Sequence, residues 1–289
     1  MAARLAEDAD LQVALVEAGP TDAGDERVAD LRRWPELLGS ELDFDYAIES
    51  QPRGNSRIRH SRGRLLGGCS SHNSCIAFRA PDSDLRKWEE LGATGWGPEG
   101  TVRAFERVYD TVHIAPAASQ NSLNAAFLKA CAEAGIPAAD FAVPGMRVGC
   151  GVFSLNARGA QRQSSSVAYL HSLPRRPDNL TVLTDRSVHA ILLDDNGLAT
   201  GVGTARGALT CRNGVVVSCG AFDSPKLLQL SGIGPRDLLN SLGIPVRLDL
   251  SGVGEHLLDH PEGVVLFESR LPIPTQTSQF WEYPMPNAS

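Results

Sequence analysis

The sequence predicts an α/β fold on three observations. A short apolar run, LQVALVEAG (11–19), ends in an acid and a glycine directly after helical turns at 2–8. Stretches with one apolar helical face recur at 84–91, 101–109 and 121–133. Strand signals and capped helices then crowd the last third, and this mixture argues for mixed α/β layers with a non-contiguous domain.

Taken in order, the helical turns and the 11–19 strand form half of a βαβ unit. In a dinucleotide-binding fold a strand and glycine turn come before that helix, and the acid ending the second strand hydrogen-bonds a ribose. Glu17 stands at that place, although a strand-ending acid on its own is usually a solvated charge. Residues 20–62 read as polar loop, with Trp34, Phe44 and Tyr46 as anchors. GRLLGGCSSHNSCIAF (63–78) sets paired glycines before small and hydroxyl residues, which lets backbone approach a flat ligand closely. Gly135 stops the 121–133 helix, and 136–163 reads as Gly-rich and irregular.

LTVLTD (180–185) and VHAILLDD (188–195) read as adjacent strands, and ALTCRNGVVVSCG (208–220) as two strands joined at Asn213-Gly214. In SPKLLQLSGIG, Ser224 is placed to cap a helix, Pro225 to open it and Gly232 to close it. Pro235 and Gly243 bracket a second short helix, and IPVRLDL (244–250) returns as a strand.

Composition narrows the function. The 289 residues are 42% apolar, 21% charged and 6% aromatic, an ordinary globular mixture rather than a disordered or fibrous one. With 27 Lys and Arg against 34 Asp and Glu, the net charge of -7 argues against nucleic acid or an anionic membrane as partner and favours a small molecule. Six cysteines are too few for a disulfide scaffold, and no signal peptide is read, so a reducing, cytoplasmic setting is expected.

VEAGP, GRLLGGCSSHN and GAFDSPKLLQLSGIG (220–234), followed by SGVGEHLLDHP (251–261), together resemble the glucose-methanol-choline (GMC) family of FAD-dependent oxidoreductases. His72 in GGCSSHNSCIAF points to the choline-oxidising members, and the resemblance runs from Ala2 to Glu282. It implies an FAD-binding Rossmann-like domain over 1–118 and 160–268, with parts of an α+β substrate domain at 119–159 and 269–289. The implied activity is oxidation of an alcohol, choline, to betaine aldehyde and onward to glycine betaine. Hydride passes to the flavin, and O2 or another acceptor takes the electrons. A homodimer is left open.

The same resemblance assigns residues. His72 carries a covalent link to FAD, and Gly67, Gly68, Asn73, Ile76 and Val188 line the cofactor with Glu17. Ser74 lies near the reacting edge and is the catalytic candidate. Glu282, beside Phe280 and Trp281, binds the substrate's quaternary ammonium, which aromatic faces and one carboxylate suit. Two competing assignments remain on the residues alone. Cys69, His72 and Cys75 form a run of zinc-ligand types, without a clear fourth ligand. Asp259 and His260 look like an acid–base pair, but neighbours in sequence seldom address one atom, so they are read as structural.

Against the family pattern, the first strand, the glycine turn and the C-terminal histidine that takes the substrate's proton are not in the sequence. The segment between Tyr109 and Val112 is short, and Phe44 replaces a tryptophan. The expectation is a portion of a longer reading frame with little or no turnover alone. The alternatives are an oxidoreductase for another primary alcohol, and a non-catalytic remnant that assembles with an intact homologue.

Overall fold

The computed structural model describes residues 1–52, 58–117, 122–141, 148–259, 268 and 270. They form two compact units. The first gathers Met1–Val13 with Pro20–Leu180, and the second Ala14–Gly19 with the described residues from Thr181 to Glu268.

In the first unit, short helices start on side-chain caps. Asp25 accepts from the Arg27 amide and Asp30 from the Arg32 amide, each at 2.9 Å, opening the helix Glu26–Ala29 and the 3-10 helix Leu31–Leu37. The expected amphipathic helices are present as Asp82–Glu90, Pro98–Val112 and Ser122–Glu133. Phe44 and Tyr46 stack at 5.3 Å. Two apolar clusters make the core: Leu31, Cys75, Leu155 and Ala157 in one, and Val28, Leu37, Leu42 and Leu65 in the other.

The reading of 136–163 as irregular is corrected. Ser154–Arg158 is the central strand of a sheet, pairing with Ile76–Ala77, Ile114–Pro116 and, across a turn, Gln161–Arg162. SLNAR carries no β-branched or aromatic residue, and Ser154, Leu155 and Ala157 are all buried, so neither propensity nor alternation marks it. Packing against both neighbours makes it a strand.

Leu180–Leu183 pairs with Val13–Val16, and all but the first residue of each strand belongs to the second unit. Leu180–Leu183 does not neighbour Val188–Leu193, contrary to the sequence reading. Asp185 at φ 51° turns the chain, donating its amide to Gly19 O at 2.8 Å while Arg186 donates to Glu17 O at 2.9 Å. Val188–Leu193 instead joins Ala199–Thr204 and Gly207–Thr210 in an antiparallel sheet. The hairpin therefore turns at Ala205–Arg206 rather than at Asn213-Gly214. Thr204 Oγ1 closes it, accepting from the Arg206 amide at 3.2 Å and donating to Gly207 O at 2.7 Å. Val215–Ser218 forms no strand with the described residues.

The helix expected from Ser224 begins earlier, at Gly220, and runs to Leu230 with Pro225 inside it. Ser224 Oγ accepts from the Cys219 amide at 3.1 Å, so it still serves the helix start from within. Gly232 at φ 81° and Gly243 at φ 68° follow this helix and the helix Arg236–Ser241 as expected. Ile233–Gly234 and Leu248–Asp249 pair in parallel.

Candidate functional site

The candidate residues fall in both units. In the second, the half-buried Glu17 ends its strand, donates its amide to Leu183 O at 2.9 Å, and accepts the Gly19 amide on Oε1 at 2.8 Å. The turn is thereby locked around the carboxylate. Val188 opens the strand Val188–Leu193 and pairs with Thr204.

In the first unit, Leu65 and Leu66 are buried, and the chain above them winds through Gly67 (φ 88°) and Gly68 (φ 54°) into a 3-10 turn, Gly68–Ser71. A Cβ on Gly67 would run into Ser71 Oγ and approach Ser166 Oγ to 2.8 Å, whereas one on Gly68 would meet nothing within 4 Å. Gly67 thus faces packed protein and Gly68 faces open space. Ser70 Oγ donates to Gly67 O at 2.6 Å and accepts the Ser165 amide at 2.9 Å. Ser71 Oγ donates to Leu66 O at 2.9 Å.

His72 ends this turn and is 4% exposed. Its Nε2 is 3.2 Å from Leu37 O and 3.6 Å from Asp43 Oδ2. A carbonyl only accepts, so this contact sets the proton on Nε2 and leaves Nδ1 as the lone-pair nitrogen. Burial pushes the imidazole below its ordinary pKa, with Asp43 pulling the other way, so the ring is neutral at neutral pH. Burial alone would raise Asp43, but the amides of Gly39, Asp45 and Arg62, each at 2.8 Å, hold it below the usual carboxylate range.

Beyond His72, Asn73 is exposed and Ser74 half-buried. Cys75 is fully buried at φ 62°, its thiol pushed up to about 11 by burial. Ile76 is 37% exposed in the strand that pairs with Leu155. Cys69, His72 and Cys75 do not form a metal centre: among the described residues no group of three His, Cys, Asp or Glu side chains is placed to hold an ion. Glu282, Phe280, Trp281 and His260 lie outside the described residues.

Sequence reasoning missed four side chains beneath this loop. Asp22, buried, accepts from Ser166 Oγ and lies 2.7 Å from His171 Nε2. Ser166 Oγ is in turn 2.8 Å from Ser164 Oγ. The signal was the run QSSSV, where three serines in a row are unusual for a packed segment.

These features bear on whether an FAD fits. The loop provides a glycine flank open to close approach, followed by an exposed amide and an exposed apolar residue, which suits the face and edge of a flat heterocycle. The second unit provides a strand-end carboxylate of the kind that binds a ribose. His72 is covered as it stands, with its lone pair on Nδ1; a link through Nε2 would require that nitrogen to give up both its proton and its contact with Leu37 O.

The chain is similar to known proteins in sequence and fold. A choline oxidase from Arthrobacter globiformis is 45% identical over 98% of this chain and 56% of its own length. A solved pyridoxine 4-oxidase from Mesorbium loti superposes with a TM-score of 0.77 at 30% identity, over 86% of this chain and 52% of its own. The formate oxidase of Aspergillus oryzae, solved in work on FAD modification, gives a TM-score of 0.77 at 25% identity, over 90% and 50%. The chain spans about half the length of the curated relatives it matches. No helix among the described residues is long and apolar enough to cross a membrane. The GMC oxidoreductase model matches residues 13–262, covering both the strand-end acid and the glycine loop, and the chain belongs to that family of FAD-binding oxidoreductases.

Proposed function

We propose that this chain supplies the cofactor cradle of a choline-oxidising enzyme. The observation that carries the reading is the 67–76 loop, with Gly68 open to close approach, in a chain 45% identical to a choline oxidase. Glu17 binds the ribose, Gly67 and Gly68 let the ring system approach, Asn73, Ile76 and Val188 line it, and Ser74 lies beside its reacting edge. His72 carries the covalent link. Glu282 offsets the charge of the quaternary ammonium. FAD, when bound, accepts the hydride that leaves the alcohol carbon. The neutral state of His72 suits bond formation, because a protonated imidazole has no lone pair to share.

Betaine aldehyde and then glycine betaine are the products of this reading, O2 or another acceptor the oxidant, and the cytoplasm its setting, in keeping with six unpaired cysteines. Domain boundaries follow the family, with the FAD-binding portion at 1–118 and 160–268. Turnover by the chain alone is expected to be slight. A second reading, oxidation of another alcohol, is favoured by the structural likeness to a pyridoxine oxidase.

The test is incubation of the purified chain with FAD, acid precipitation, and mass analysis of its peptides. The expected result is a flavin-sized increment on the peptide containing His72, lost in His72→Gln. Flavin that washes away entirely, with no saturable binding before precipitation, would contradict the cradle. Retention that acid releases would leave the cradle standing and reject the link.

A further inference from the structure

Arg162 has no part in the reading above, yet its side chain reaches three residues of the cofactor loop, Ser70, Asn73 and Cys75. The residue is 2% exposed. Its Nε donates to Val28 O at 2.9 Å, and its Nη1 reaches Ser70 O at 3.3 Å, the Asn73 carbonyl, Asn73 Oδ1 at 3.1 Å and Cys75 Sγ at 3.1 Å. Nη2 is buried with no hydrogen-bond partner among the described residues. No described carboxylate pairs with the guanidinium either, and Cys75 stays a neutral thiol. A buried cation offset only by carbonyls, an amide and a neutral thiol is costly, so the contacts it makes are what hold it there.

Those contacts converge on residues 70–75. Asn73 Oδ1 takes two donors, Arg162 Nη1 and the Cys75 amide, both at 3.1 Å. An amide oxygen held between two donors fixes the flip of the group, turning Nδ2 away from the guanidinium. Asn73 is exposed, and with its Oδ1 engaged by both donors the NH2 is the part of the amide left to offer outward.

We propose that Arg162 is a positioning residue for the cofactor loop: it clamps 70–75 from inside and thereby presents Asn73 as a hydrogen-bond donor to an acceptor edge of the flavin. The clamp is independent of the proposed function, and the donor role rests on it. A flavin ring offers carbonyl oxygens and bare ring nitrogens along one edge, which an amide NH2 satisfies and a carboxylate repels.

The test compares the wild-type chain with Arg162→Met, Arg162→Lys and Asn73→Asp in two measurements. One is the alkylation rate of Cys75 without FAD, read by peptide mass; the other is FAD affinity, read by flavin fluorescence. Arg162→Met is expected to speed Cys75 alkylation about tenfold or more, and Arg162→Lys about threefold, since an ammonium still donates to the loop carbonyls but reaches fewer of them. Asn73→Asp is expected to keep Cys75 protected, because its carboxylate still accepts from Arg162, while weakening FAD about tenfold or more. Wild-type Cys75 protection in Arg162→Met overturns the clamp. If that variant is unfolded by circular dichroism, Arg162→Lys decides: partial Cys75 reactivity in a folded chain supports the clamp, and a wild-type rate overturns it. Wild-type FAD affinity in Asn73→Asp overturns the donor role. A wild-type chain that binds no FAD rejects the cofactor reading together with the donor role, and the Cys75 rates still judge the clamp.

Discussion

The two units are held together in different ways. The second, Ala14–Gly19 with Thr181 onward, turns on local devices: a threonine hydroxyl closing a hairpin, a serine at a helix start, and glycines following two helices. Its longer side-chain reaches, such as the Ile191 amide to Ser231 Oγ and Arg247 Nη2 to Asp194 O, each at 2.8 Å, tie elements to one another rather than holding a loop. The first depends on side chains that reach far along the chain. Arg162 holds residues 70–75, Asp22 holds Ser166 and His171, and Asp43 gathers amides from Gly39 to Arg62. A loop rich in glycine and serine has little apolar area of its own, so distant polar groups supply its rigidity.

The largest effects that separate the units come from core truncation. Leu37→Ala, fully buried in the first unit beneath the carbonyl that faces His72, is expected to cost about 3 kcal/mol. Hydrogen exchange should then accelerate across 20–180 while the sheet 188–210 keeps its protection, and Leu239→Ala should give the reverse pattern. Equal acceleration everywhere would show that the division into two units has no energetic meaning.

Asp43→Ala comes next, at about 2 kcal/mol by chemical denaturation, because three backbone amides lose their acceptor together. Thr204→Val removes only the hairpin's local bonds and is expected to cost about 1 kcal/mol, confined to the second unit. A larger loss at Thr204 than at Asp43 would invert the comparison.

The smallest effect is in pH. His72 has its folded pKa lowered below the ordinary 6.5, so on acidification the unfolded chain binds a proton before the folded chain does. Stability is therefore full above pH 6.5 and declines as pH falls below it. Asp43, lowered from 3.8, adds a further loss at still lower pH. His72→Gln should flatten the slope of unfolding free energy between about pH 6.5 and 5. An unchanged slope would place that proton on another histidine.

The same contrast explains what could be read in advance. Glu17 at a strand end and Gly232 and Gly243 after helices were legible because each acts within a few residues. The hairpin was misplaced because Asn213-Gly214 is the stronger turn signal, while Ala205–Arg206 turns only with help from Thr204. Ser154–Arg158 was missed because pairing on both sides makes it a strand in spite of its composition. His72 was recognised as special by its motif, but its burial against Leu37 and Asp43 lies in contacts 35 and 29 positions away. Nothing near Arg162 in sequence shows that it reaches residue 75.

Hydrogen exchange of the whole chain with and without FAD tests the central claim most directly. If the glycine loop is the cradle, FAD should slow exchange at 67–76 and at 14–19, leaving the helices Asp82–Glu90 and Pro98–Val112 as they were. Saturable binding that protects other segments and leaves 67–76 unchanged would contradict it.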